Sequence, residues 1–170
     1  MCIRDSYGGF LLHDLRFDAD GQPRPDFPLN DPARNSARIL VTRRNFGGGS
    51  SREAAAYALV DYGIRCVIAP SFGDIFRSNA ANNGLLPAQV SEPDAEALLA
   101  HLGNHLELAI DLESCTILAG ETRFDFTLDP VHRVKLLNGW DDLDLTLSHE
   151  SRIASFMQAD RERRPWLSPA

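Results

Sequence analysis

The sequence predicts a mixed α/β layer fold, opening with α/β units and adding antiparallel strands in its C-terminal third. Three observations carry that prediction. Short β-branched runs alternate with alanine-rich or amphipathic stretches, glycine and proline fall at the junctions, and later apolar residues recur at every second position. At 170 residues the chain suits one domain.

The elements follow in order. Residues 1–6 show no periodicity and read as a non-native or disordered start, 7–160 as a single domain and 161–170 as a tail. Residues 21–32 hold Pro23, Pro25, Pro28 and Pro32 and form a loop. Ile39, Leu40 and Val41 mark a strand over 38–42, buried on both faces. A glycine-rich turn at 45–51 leads into an alanine-rich helix over 52–62, ended by Gly63. Residues 64–69 form a second buried strand, in which Cys66 behaves as a small hydrophobe. Pro70 and Ser71 open a helix over 72–82 that Gly84 ends, and 85–90 pairs as a further strand. Ser91 and Pro93 start the next helix, with Ala95, Leu98, Leu99 and Leu102 on one face. Leu106, Leu108, Ile110 and Leu112 alternate with polar neighbours, as do Phe124, Phe126 and Leu128, and Gly120 marks a turn between the strands that include them. Residues 131–137 and 149–161 read as helices, the latter with a charged, solvated tail.

Composition excludes several function classes. Hydrophobic residues at 44% and charged residues at 24% are ordinary globular values. With 17 basic and 24 acidic residues the formal charge is −7, a poor match for nucleic-acid phosphates or an anionic membrane surface. No apolar run approaches the roughly 20 residues of a membrane span. Only residues 8–12 are locally apolar near the start, and Asp14 interrupts them, so no signal peptide is expected. Cys2, Cys66 and Cys115 form no C-x-x-C pair, which points to a cytoplasmic chain without locally spaced iron–sulfur or zinc ligands.

The segment Asn45-Phe46-Gly47-Gly48-Gly49-Ser50-Ser51-Arg52-Glu53 is the most informative. Three glycines between a buried strand and a helix let a ligand approach the backbone. Successive N–H groups there form an anion-binding concavity, and the helix beginning near Arg52 directs its positive dipole end at the same point. Arg52 adds a planar fork for a carboxylate or phosphate, with the hydroxyls of Ser50 and Ser51 beside it. Ser50-x-x-Glu53 also has the spacing of a capping box, which would occupy both side chains in ending the helix. No Walker lysine follows, and Gly47-x-Gly49-x-x-Arg52 lacks the third glycine of a dinucleotide fingerprint. Spacing alone therefore gives an anion site of open chemistry.

Other candidates have two readings each. Ser71 is an anion ligand or an N-cap, and Arg43 and Arg44 line the approach of a dianion or are ordinary surface charge. His101 and His105 have helical spacing but no third ligand, and read as solvated or C-capping residues. His13, His132 and His149 carry no assignment. Asp141, Asp142 and Asp144 lack the glycine of a calcium loop and read as solvated or capping residues.

In order along the chain, Asn45–Glu53, Ser71-Phe72-Gly73-Asp74-Ile75-Phe76, Asn79 and Asn83-Gly84-Leu85-Leu86-Pro87 resemble the swivelling domain of the aconitase family. Leu136-Leu137-Asn138-Gly139-Trp140-Asp141-Asp142 and Leu145-Thr146-Leu147 are similar to the small-subunit family of bacterial 3-isopropylmalate dehydratase. The resemblance runs from about Tyr7 to Phe156. It implies a swivelling β/β/α domain, a separate large subunit holding a 4Fe-4S cluster, and no cofactor bound by this chain. It also implies that the family's upstream active-site segment lies outside this sequence. The implied activity is isomerisation of 2-isopropylmalate to 3-isopropylmalate by dehydration and rehydration, in leucine biosynthesis. Ser50 is then the implied base, with Ser51, Arg52, Gly47, Gly48, Gly49 and Ser71 binding substrate and the partner's iron acting as Lewis acid. The alternatives are a related small subunit acting on citraconate/methylmalate or homoaconitate, and a non-catalytic anion- or nucleotide-binding module.

Overall fold

The computed structural model describes residues 3–103 and 107–167. A 3-10 helix (Ile3–Phe10) and one turn of α-helix (α1, His13–Arg16) precede the proline-rich loop, which contains 3-10 turns at Pro28–Asn30 and Pro32–Arg34. Then come β1 (Ile39–Val41), α2 (Ala54–Tyr62), β2 (Cys66–Ala69), α3 (Asp74–Asn82) and β3 (Leu86–Gln89), the strands forming a parallel sheet in the order β1-β2-β3. Helix α4 (Glu92–Leu102) leads to β4 (Ala109–Asp111), β5 (Thr116–Ala119) and β6 (Thr122–Asp125), an antiparallel sheet in chain order. Helices α5 (Pro130–Asn138), α6 (Asp142–Leu147) and α7 (Glu150–Arg163) and a 3-10 turn at Pro165–Leu167 complete the described chain.

The strand period of two assigns β2 to two cores at once. Val67 and Ala69 pack into one with Leu59, Phe76 and Ala80 from α2 and α3. Cys66 and Ile68 face the other, with Ala95 and Leu98 of α4, Ile117 of β5 and Phe126. The parallel sheet is therefore the middle layer of a β/β/α arrangement, as the resemblance implies. Backbone hydrogen bonds between Gln89 and Thr127 join the two sheets directly: the Gln89 N–H donates at 3.2 Å and the Thr127 N–H at 2.7 Å. Burial among aliphatic neighbours pushes the Cys66 thiol up to about 12, so it stays neutral.

Helix ends follow their local chemistry. Gly63, at φ 113°, ends α2, and past α3 the Leu85 N–H returns to the Ala80 carbonyl at 2.9 Å around Gly84. Ser91 caps α4 through the Asp94 N–H, Asp129 caps α5, and Asp141 with Asp144 forms a capping box on α6.

Several expectations are corrected. β1 is half-buried, because as the edge strand it has a hydrogen-bonded neighbour, β2, on one side only. β5 lies between the two alternating runs, with Gly120 turning the chain into β6 rather than joining those runs directly. Helix α6 is an element the sequence pattern does not announce, although Asp141 and Asp144 cap it as expected, and α7 extends to Arg163, with Asp160 accepting from both Arg163 and Arg164. Met1, Cys2, residues 104–106 with His105 and Leu106, and residues 168–170 lie outside the described residues. Among the described residues no helix is long and apolar enough to cross a membrane. From 141 to 167 no residue is buried.

Candidate functional site

The glycine turn bridges β1 and α2 across the top of α3. Asn45 and Gly47 both take left-handed backbone (φ 60° and 73°), which asparagine and glycine tolerate best. Two tight turns follow: the Gly48 N–H donates to the Asn45 carbonyl at 3.2 Å, and the Ser50 N–H to the Gly47 carbonyl at 3.3 Å. Behind them the segment leading into α3 acts as a brace. Ser71 Oγ accepts the Asn45 N–H at 2.8 Å and its carbonyl accepts the Phe46 N–H at 3.1 Å, while the Gly73 N–H donates to the Phe46 carbonyl at 2.9 Å. Phe46 packs edge-on against Phe76, ring centroids 5.2 Å apart.

Close approach explains two of the glycines. A Cβ on Gly47 would stand 2.2 Å from Phe76 Cγ, and one on Gly48 2.3 Å from Asn45 Oδ1. Gly49 faces open space instead. The amides of Gly49 and Ser51 meet no acceptor among the described residues, which leaves them available to an anion.

Ser50 is half-exposed, while Ser51 and Arg52 are exposed. The structure thus gathers all three on one accessible surface with Gly49. The Arg52 N–H donates to Ser50 Oγ at 3.2 Å, a local turn that holds the hydroxyl beside the free amides. The Arg52 guanidinium has no ion-pair partner among the described residues.

The capping box at Ser50 and Glu53 does not form. The helix begins at Ala54, two residues later than the sequence suggests, and Glu53 is itself the helix-entry residue with helical backbone and no side-chain cap. Its carboxylate instead accepts from Asn83 Nδ2 at 2.9 Å, and the same nitrogen donates to the Asn79 carbonyl at 2.8 Å. No sequence signal marks this cross-tie, because its partners are 30 residues apart. Ser71 does not cap α3 either: Gly73 stands at that position, and the Ser71 oxygen serves the glycine turn.

Arg43 and Arg44 are taken up by α4. Arg43 forms a two-pronged pair with Glu96, at 2.7 and 3.1 Å, which raises the guanidinium and lowers the carboxyl relative to their ordinary values. Arg44 lies 3.8 Å from Glu92. His101 is in the last turn of α4. Among the described residues no group of three or more His, Cys, Asp or Glu side chains could hold a metal ion. Two cavities, of about 730 and 480 Å3, lie elsewhere, one between β1 and the antiparallel sheet and one along α6 and α7. The glycine turn lines neither, and its Gly49, Ser51 and Arg52 are exposed.

Comparison with known proteins adds the following. Residues 13–93 match the Aconitase C-terminal domain. The 3-isopropylmalate dehydratase small subunit of Rhodospirillum centenum is 47% identical over 167 residues, spanning 96% of this chain and 82% of that protein. The corresponding small subunit of Mesorhizobium japonicum is 46% identical over 168 residues, spanning 96% and 83%. A crystal structure of 3-isopropylmalate dehydratase from Methanocaldococcus jannaschii superposes with a TM-score of 0.50 at 29% identity, covering 70% of this chain and 68% of that one.

Proposed function

Because the chain belongs to the small-subunit family of 3-isopropylmalate dehydratase, an aconitase-type hydro-lyase, we propose that it supplies the proton-transfer and carboxylate-binding half of that enzyme in leucine biosynthesis. One observation carries the assignment of residues. A half-exposed Ser50 hydroxyl sits on one turn beside amides and an arginine that have no partner among the described residues.

In this reading Ser50 Oγ removes a hydrogen from the substrate carbon next to a carboxylate. The C–H electron pair becomes the C=C bond, and hydroxide departs from the neighbouring carbon of 2-isopropylmalate. Rehydration runs the same events with the two carbons exchanged, Ser50 returning the proton, to give 3-isopropylmalate. Such a proton is weakly acidic, so the base must be strong and shielded from water. The Arg52 N–H and the surrounding amides favour the ionised serine oxygen. Ser51, Arg52 and the backbone amides of Gly49 and Ser51 hold a substrate carboxylate, whereas Gly48, whose N–H is spent on the Asn45 carbonyl, and Gly47 shape the turn, and Ser71 keeps its O–H to donate.

The exposed turn supports completion of the site by the large subunit. A 4Fe-4S cluster does not fit the described residues of this chain: Cys66 is buried within β2, and no acidic, histidine or thiolate group gathers around it or Cys115. We place the cluster on the large subunit and the assembled enzyme in the cytoplasm. Residues 7–160 serve as one swivelling domain.

The test is reconstitution with a cluster-loaded large subunit and assay of 2-isopropylmalate consumption. Ser50→Ala is expected to lower kcat by about 10²–10⁴-fold while the two chains still co-purify. Full activity in that variant would remove Ser50 from the chemistry.

A further inference from the structure

We infer that Asn83 is a positioning residue for the candidate site: it holds the Glu53 carboxylate against the end of α3, off the amides and guanidinium that take the substrate's carboxylate. The inference rests on the function proposed above and adds to it a control over the turn's own acid.

Glu53 is an awkward neighbour for an anion site. It follows Arg52 directly, their Cα atoms about 3.8 Å apart, and both side chains are exposed. A carboxylate is drawn to the unpaired amides at a helix N-terminus. Ser50-x-x-Glu53 has the spacing at which a glutamate folds back over the start of its own helix. Folded back, the acid would stand where the turn offers the Gly49 and Ser51 amides, as a built-in competitor for a dianionic substrate.

The structure places the carboxylate elsewhere. Glu53 makes no side-chain cap on α2, and its Oε1 accepts from Asn83 Nδ2 at 2.9 Å. The same nitrogen donates to the Asn79 carbonyl at 2.8 Å. Both partners only accept, so the amide nitrogen and not its oxygen must face them. Asn83 is itself held. Its backbone N–H donates to the Ala80 carbonyl at 3.0 Å, and Asn82 beside it accepts from the anchor that α5 supplies. That anchor is Lys135, 2% exposed, which donates to Asn82 and to Asp142, both at 2.6 Å. Glu53 is thereby tied to an anchored helix end, while Arg52 next to it has no ion-pair partner among the described residues.

The experiment uses the full chain reconstituted with a cluster-loaded large subunit, reading KM and kcat for 2-isopropylmalate. Asn83→Ala frees the carboxylate and should raise KM about 5–10-fold, the effect of a like charge beside the substrate, with kcat nearly kept. Added sodium chloride should shrink that rise, because it screens exposed charges. Glu53→Gln on top of Asn83→Ala removes the charge and should bring KM back toward the parent. Asn83→Asp, of the same size, repels Glu53 and should give the same readings, with the same rescue by Glu53→Gln, if the alanine variant does not fold. An unchanged KM in the Asn83 variants overturns the inference and leaves the function reading intact. So does a raised KM that neither salt nor Glu53→Gln lowers, since a bracing role alone would behave that way. A parent enzyme that consumes no 2-isopropylmalate overturns both.

Discussion

Gly47 is the residue at which the candidate site tolerates least. Its left-handed backbone disfavours any side chain, and the space a methyl would need is filled by the Phe76 ring. Gly47→Ala should cost about 1–3 kcal/mol in urea unfolding, the range for overpacking, and should lower turnover further by displacing Ser50. Gly49→Ala, with open space around it, should be nearly neutral in the same unfolding experiment. At Cys66 the prediction concerns pH. Its thiol ionises in the folded chain only at about 12, against an ordinary thiol value of 9.0. The unfolded chain therefore releases a proton that the folded chain retains, and stability falls as pH rises above that ordinary value. Replacing Cys66 with alanine should flatten the alkaline decline in a series of denaturant melts. Iodoacetamide should label Cys66 only after unfolding.

At the scale of elements, α7 and the Lys135 anchor make separate predictions. Asp160 is held below the usual carboxylate range, chiefly by the Arg164 hydrogen bond, with Arg163 adding to it. A depressed folded value gives stabilisation that is present above the unfolded carboxylate range and lost as pH falls through the folded value. Amide exchange at 163–164 should therefore accelerate under acid conditions before the sheet amides respond. Lys135→Met removes the donor shared by Asn82 and Asp142. It should cost about 1–3 kcal/mol by denaturant unfolding and speed exchange in α6. These elements also mark what a sequence can disclose. The alternation at Leu108, Ile110 and Leu112 and at Phe124, Phe126 and Leu128 is legible because one face packs inward and the other meets water. β5 is not, because both Thr116 and Ile117 are buried, which breaks its alternation. Residues 142–147 read Asp-Leu-Asp-Leu-Thr-Leu, a strand-like pattern, and become a helix through their capping box. The glycine turn is legible from composition, whereas the Glu53–Asn83 tie and the Ser71 brace depend on tertiary neighbours.

The whole molecule depends on the middle sheet, since β2 contributes to the cores on both sides. Ile68→Ala should destabilise the chain by about 2–5 kcal/mol, the usual cost of such a truncation in a closed core. Val67→Ala, on the opposite side of the same strand, should perturb the same single cooperative transition. Two resolved transitions in either variant would contradict this coupling of the layers. The same economy of connections governs how the turn could be moved between proteins. Residues 45–53 owe their shape to contacts with 71, 73, 76 and 83. A chimera that transplants the nine-residue loop alone therefore inherits its sequence without its conformation, and the smallest portable cassette also carries residues 71–83.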